Sequence, residues 1–309
     1  MEQRFVGTSG LRVSALALGT MSWGKETDEH SARETLRAFV EAGGTTVDTA
    51  VSYVEGRSEA ILGAMLGDVV PRSDVVIVSK AGVSHRHGKR MVDTSRRAML
   101  SSLDATLARL GTDHLDLWLA HIWDENVPLE ETLSALDLAV SSGRVRYAGV
   151  SNYCGWQLAR AATLSETALV ANQVEYSLLS RQIEAEVLPA AEHVGSGVIC
   201  WGPLGRGVLT GKYRGQIPGD SRGASDEMSG YVEPYMAGRS SRITEAVVTA
   251  AKGLGREPLD VALSWLLDRE LVAAAVVGPR NVEQLKQILS SSLEPLPEQI
   301  ADVLNEVSG

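Results

Sequence analysis

The chain has 309 residues, 44% hydrophobic and 22% charged, with a net charge of -10 and a pI near 5.2, which fits one α/β barrel or two ordinary domains and excludes a disordered chain. The acidic balance argues against a nucleic-acid surface, and two cysteines, Cys154 and Cys200, supply no disulfide framework. No run nears the roughly 18 apolar residues of a membrane span and the N-terminus lacks a signal-peptide pattern, so a cytoplasmic protein without membrane contact is expected.

In chain order, the arms of RFVGTSGLRV flank a Ser-Gly turn and predict a hairpin able to plug the bottom of a barrel. Short apolar runs then alternate with helical patterns, the form of repeated βα units. Strands are predicted at 15–19 (ALALG), 45–49 (TTVDT), 75–80 (VVIVSK) and 115–121 (LDLWLAH), then at 145–151 (VRYAGVS), 169–173 (LVANQ), 197–201 (GVICW) and 273–278 (AAAVVG). Most are too apolar to have one wet face, as buried parallel strands are. The predicted fold is therefore a (β/α)8 barrel in one domain over 1–309, with the N-terminal hairpin and extra C-terminal helices. One helix opens on capping residues at DEHS and ends at Gly43 and Gly44; another starts at Thr94 and stops at Gly111. The segments EPLDVALSWLLDRE and LPEQIADVLNEV read as helices beyond the eight, and the Gly-, Pro- and Ser-rich stretch over 212–240 reads as a functional loop.

A barrel of this kind works at the C-terminal ends of its strands, and those ends are patterned. Strand two ends at Asp48 with Tyr53 in its loop, strand three at Lys80 and strand four at His121. Singly, each residue is explained by a turn, a solvated end or packing; jointly, four groups that exchange protons or tune one another meet at one mouth. A phenol is a reluctant acid at neutral pH, and a neighbouring ammonium, Lys80, would favour its phenolate. A buried Lys80 needs a counter-charge, which Asp48 supplies, and His121 would donate to a substrate carbonyl. Strands five to eight offer Ser151, Asn152 and Gln173 for a carboxamide and Trp201 for stacking a flat ring, a set that matches nicotinamide. No GxGxxG follows the first strand, so a doubly wound fold is disfavoured. Arg280, after Gly278 and just before a helix, suits a ribose 2′-phosphate and points to NADPH. His85 and His87 have no evident third ligand and read as a solvated loop, so no metal is expected.

These motifs, from GLRVSALALGTMSWG and TTVDTAVSYVEGRSEAILG through LDLWLAHIWD and GRVRYAGVSN to NQVEYSLL and WGPLGRGVLTGKY, stand in family order. Over nearly its whole length the chain resembles the aldo-keto reductase superfamily, of the bacterial broad-substrate and general-stress type related to potassium-channel β subunits. The resemblance implies a catalytic tetrad, which falls on Asp48, Tyr53, Lys80 and His121, with hydride transfer from NADPH to an aldehyde or ketone. It implies cofactor contacts at Ser151, Asn152, Gln173 and Trp201, then at Gly202, Pro203, Leu204 and Gly207 along the pyrophosphate, with Lys212 or Arg214 beyond. Arg280 and Gln284 match the adenine-ribose end. Two departures stand out: Gln287 and Ile288 replace an acid and an Asn, and Val54 follows the tyrosine where relatives often carry Gly. Trp23 and Trp123 sit where pocket walls occur, with rim packing an equal explanation. Arg57 and Glu59 read as loop and helix-start structure. The partner expected is thus a small carbonyl substrate. Other readings are a ketoreductase of deoxysugar or secondary-metabolite assembly, and a regulatory subunit of the channel-β kind. Members of that last group usually carry Asn in place of the fourth-strand His, which this chain keeps as His121.

Overall fold

A computed structural model describes residues 1–86, 89–219, 221–225 and 229–309. The chain opens with the antiparallel pair β1 (Gln3–Phe5) and β2 (Arg12–Ser14). Then come β3 (Leu16–Gly19), α1 (Glu29–Glu41), β4 (Thr46–Asp48), α2 (Arg57–Gly63) and β5 (Val76–Ala81). A second antiparallel hairpin follows, β6 (Val83–Arg86) and β7 (Lys89–Val92), and then α3 (Arg96–Leu110), β8 (Leu115–Ala120), α4 (Leu129–Ser141) and β9 (Val145–Ser151). The chain continues with α5 (Gly155–Leu164), β10 (Leu169–Glu175), α6 (Val187–Val194), β11 (Gly197–Trp201), α7 (Ser229–Val232), α8 (Arg239–Leu254) and α9 (Pro258–Leu267). It ends with β12 (Val272–Val277), α10 (Val282–Leu289) and α11 (Glu298–Ser308).

Eight parallel strands close a barrel in the order β10-β11-β12-β3-β4-β5-β8-β9, so each predicted strand is present with ends moved by a residue or two. Parallel pairing buries both faces, one against the helices and one against the barrel axis. The outer layer is a continuous apolar cluster that includes Leu36, Phe39, Trp118, Leu136 and Leu263. Inside, Ala17, Val78, Leu117, Leu119 and Ile199 form a second cluster joined by Val6, Leu11 and Val13 of the N-terminal hairpin. That hairpin therefore closes the bottom, and Thr8 N donates to Gly195 O at 2.9 Å to hold it there.

Asp28 caps α1, its carboxylate accepting from Ser31 N at 2.7 Å. The helix expected to begin at Thr94 is capped one residue later by Ser95, and Gly111 ends it in the left-handed conformation. Two expectations change. The GVSHRHGKR segment is not a plain loop but carries the β6–β7 hairpin; His87 lies outside the described residues. Helix α9 is not an addition outside the barrel: eight of its ten residues are buried and it packs on β12, because LDVALSWLL is mostly apolar and its polar edge, Asp260 and Ser264, is paired with Arg256. The added layer is α8, amphipathic and packed between α9 and α11.

Candidate active site

Asp48 is the last residue of β4, and Lys80 stands one position before the end of β5, the neighbouring strand. Lys80 Nζ donates to Asp48 Oδ2 at 2.7 Å, to Thr49 O at 2.9 Å and to Tyr53 Oη at 3.2 Å. An ammonium has three N–H groups, and here each has an acceptor. The other carboxylate oxygen, Asp48 Oδ1, accepts from Gln173 Nε2 at 2.7 Å. Gln173 lies on β10, four strands away around the ring, so that bond spans the barrel interior. Both ions are almost completely buried, at 1% and 3% side-chain exposure, an arrangement that persists only when fully paired. Burial pushes the Lys80 ammonium down, but the Asp48 carboxylate and the Tyr53 oxygen together outweigh it and hold the group above its ordinary value.

Tyr53 opens a tight turn over Tyr53–Gly56 in which Val54 (φ 47°), Glu55 (φ 55°) and Gly56 (φ 86°) are successively left-handed. For a β-branched residue that conformation is strained by roughly 1–2 kcal/mol, and such strain persists where surrounding contacts over-determine it. The contacts are visible just beyond the turn. A Cβ on Gly56 would lie 2.8 Å from Arg109 Nε, so only glycine lets the turn rest on that guanidinium. Arg109 in turn donates to Glu59 Oε2 at 2.8 Å, and Glu59, fully buried, accepts from Ser79 and Thr106 hydroxyls at 2.7 and 2.9 Å. Glu59 thus bolts the helix after the tyrosine to β5 and α3.

The result is a phenol facing two ions and an imidazole. Burial raises the Tyr53 hydroxyl above its ordinary 10.0, the Lys80 ammonium pulls it down and the Asp48 charge adds to the rise. The expected easing of the phenol by Lys80 is therefore outweighed, first by burial and then by the Asp48 charge. Tyr53 keeps its proton at neutral pH. His121, just past β8, meets the tyrosine ring edge-on with centroids 6.2 Å apart. Burial, then Lys80, then Arg90 depress its basicity to about 3, so the imidazole is neutral, and its buried Nδ1 has no partner among the described residues. A protonated phenol and a neutral imidazole, backed by an ammonium, can hydrogen-bond one oxygen and deliver a proton to it.

The residues assigned to strands five to seven are tied to one another. Ser151 Oγ donates to Gln173 O at 2.8 Å and accepts from Asn152 Nδ2 at 3.0 Å. Asn152, left-handed at φ 59°, also donates to His121 O at 3.0 Å and accepts from Trp201 Nε1 at 3.0 Å. One amide thus links the ends of β8, β9 and β11. Gln173 is not the end of its strand, which runs on to Glu175, and one of its two amide N–H groups is taken by Asp48. Beyond Trp201 the backbone is left-handed at Gly202, Gly205, Arg206 and Gly207, while Pro203 is buried and Leu204 packs on the core. A Cβ on Gly207 would come within 3.1 Å of Lys212 Nζ, so the bare backbone there accommodates a folded-back ammonium. Arg214 instead grips Glu245 through two bonds of 2.6 and 2.8 Å. Gly278 lies just past β12. Gln284 Oε1 accepts from Arg280 N at 3.0 Å, fixing Arg280 at the start of α10. In that helix Ile288 faces the core and Gln287 faces outward, so the departure at 288 serves packing.

The two tryptophans separate. Trp23 is wholly buried in the outer core cluster and presents no surface to the mouth, so it packs rather than lines a pocket. Trp123 stacks edge-on with Tyr153 at 5.3 Å and with the exposed Trp156 at 5.1 Å, forming an aromatic rim two residues past His121. Sequence reasoning missed Arg206. Its guanidinium lies 4.8 and 4.9 Å from the Tyr231 and Tyr235 ring centres and 5.9 Å from that of Trp201. Glu175 accepts from Arg206 at 3.3 Å and from Tyr235 Oη at 2.9 Å, which pins the long loop across the ends of β10 and β11. The Arg within GPLGRG was the available signal.

Among the described residues no helix is long and apolar enough to cross a membrane. A model of the aldo/keto reductase family matches residues 15–308. An uncharacterized oxidoreductase of Bacillus subtilis (strain 168) is 32% identical over 99% of this chain and 96% of its own length. An L-glyceraldehyde 3-phosphate reductase of Escherichia coli (strain K12) is 33% identical over 93% of this chain and 86% of its own. A probable voltage-gated potassium channel subunit beta of Oryza sativa subsp. japonica is 30% identical over 99% of this chain and 95% of its own. Matched from the first barrel strand to the last helix, the chain belongs to the aldo/keto reductase family.

Proposed function

We propose that the chain is an NADPH-dependent reductase of aldehydes or ketones, with Tyr53 as proton donor. The observation that carries the reading is the saturated Lys80 ammonium, whose third N–H points at the Tyr53 oxygen. Because Tyr53 Oη accepts from Lys80, its own O–H is left to donate outward, to a substrate carbonyl at the mouth. His121, neutral, offers a second N–H to the same oxygen and stabilises charge as it builds there. As the proton leaves, Lys80 faces a forming phenolate, an interaction stronger in the transition state than before it. Bound nicotinamide would supply the hydride to the carbonyl carbon, so the carbonyl, NADPH and the proton given by Tyr53 become alcohol and NADP+, and Tyr53 regains its proton from solvent. Trp201, with its ring oriented by Asn152, fits a flat ring; the left-handed backbone at Gly202 and over 205–207, with Lys212, fits a pyrophosphate, and Arg280 at α10 fits a 2′-phosphate. Arg214, paired with Glu245, is the weakest of the assigned phosphate contacts.

The relatives named as oxidoreductases, one acting on L-glyceraldehyde 3-phosphate, agree with this chemistry and make short aldehydes the first panel to try. The test is NADPH oxidation over aldehydes, ketones and keto-sugars by wild type and Tyr53→Phe. The variant should lose turnover by about 100-fold or more, the scale of a general acid, while binding NADPH as tightly. A Tyr53→Phe enzyme as active as wild type would overturn the mechanism.

A further inference from the structure

The β6–β7 hairpin leaves the barrel directly after Lys80 and Ala81, and its base is closed by Asp93 N donating to Gly82 O at 3.0 Å. His121 N donates to Ala81 O at 2.8 Å, so the imidazole is anchored at the hairpin's foot. The hairpin's charge is unusual for an acidic protein: residues 81–92 contain Arg86, Lys89 and Arg90 and no acid. Its pleat sorts those charges. Val83 pairs with Val92 and His85 with Arg90, and alternation puts all four on one face. Val83 is buried and Val92 partly so, which identifies that face as the one turned to the protein; Lys89 and Met91 point the other way. Arg90 is exposed, has no carboxylate at ion-pair distance among the described residues, and stands on the inward face of the hairpin whose foot holds His121. A cation without a carboxylate partner, on the inward face of a hairpin that rises from the end of the Lys80 strand, attracts negative charge on the remainder of a substrate held at that strand end.

We propose that Arg90, with His85 opposite it, receives an anionic group of the substrate, a phosphate or a carboxylate, and makes anionic carbonyl compounds the preferred substrates. This rests on the reductase reading above. The test compares kcat/KM for three short aldehydes of equal length, ending in a phosphate, a carboxylate or a neutral group, in wild type, Arg90→Gln and Lys89→Gln. Wild type should prefer one or both anions, the larger ratio showing whether phosphate or carboxylate is read, and the preference should weaken as ionic strength rises. Arg90→Gln should lower the anion-to-neutral ratio about tenfold or more, the scale of a charge-assisted hydrogen bond; Lys89→Gln, on the outer face, should leave that ratio in place. A neutral preference in wild type, or equal ratios in wild type and Arg90→Gln, overturns the proposal. Titration of inorganic phosphate by calorimetry judges the site without turnover: weaker binding in Arg90→Gln than in both other proteins supports it, and equal binding in all three refutes it. Should wild type reduce no carbonyl compound, the reductase reading falls while the phosphate titration still decides whether Arg90 holds anions.

Discussion

Asp48→Asn removes one charge from the pair at the centre of the barrel mouth. At 2.7 Å and an effective dielectric of about 20, the Coulomb attraction between Asp48 and Lys80 is about 6 kcal/mol, and the cost of taking both ions out of water cancels much of it. What the substitution leaves is an ammonium without its counter-charge, for which a loss of about 3–5 kcal/mol of folding stability is expected. Asparagine makes matters worse geometrically. Both Asp48 oxygens accept, one from Lys80 and one from Gln173, whereas an amide has one acceptor oxygen and one donor NH2, so an N–H faces an N–H unless the Gln173 amide turns over. The assay is urea unfolding followed by tryptophan fluorescence, extrapolated to water. Asp48→Asn should be far less stable than wild type, and Asp48→Asn/Lys80→Met, which removes both charges, less impaired than the two single losses summed. Burial, the largest influence on Lys80, pushes it down once the carboxylate no longer counters it, so its folded-state pKa falls below the unfolded value and the unfolded chain binds more protons. The stability defect should therefore shrink as pH rises toward the ordinary lysine value. Single variants that sum to the double, or an Asp48→Asn protein within about 1 kcal/mol of wild type, would refute the argument from desolvated charge.

Two further outcomes are expected. His121 is held at about 3 against an ordinary 6.5, so acid protonates the unfolded chain first and stability drains away as pH falls from the ordinary value toward the folded one. Unfolding midpoints of wild type should drop more steeply on acidification than those of His121→Gln, which cannot titrate there; parallel curves would mean the imidazole is not desolvated as described. Arg280→Ala should weaken NADPH by about tenfold or more and NADH much less, the loss of one charge-assisted contact. Equal weakening of both in a fluorescence titration would remove Arg280 from the 2′-phosphate.

The barrel and the four residues at its mouth were legible in the sequence for a local reason. A buried parallel strand is a run of apolar residues, so a carboxylate, an ammonium or an imidazole at its end marks the rim. Asp48, Lys80 and His121 were found this way, and Tyr53 by its loop. The same local reasoning misplaced α9, since continuous apolarity reads as helix but not as which layer the helix fills. It also read the hairpin over Val83–Val92 as loop, because alternation of cationic and apolar residues is weak in so short a ladder.

What only the tertiary structure decided depends on pairs distant in sequence. Gln173 reaches Asp48 across the barrel from 125 positions away, Arg206 meets Glu175, Tyr231 and Tyr235 through the folded long loop, and Trp23 turns inward where a pocket wall was conceivable. The sign of the Tyr53 shift belongs here too. Sequence supplies an ammonium beside a phenol, but whether that ammonium eases the proton off depends on how deeply the phenol is buried and how fully Asp48 has already neutralised the charge, and both are properties of packing in three dimensions.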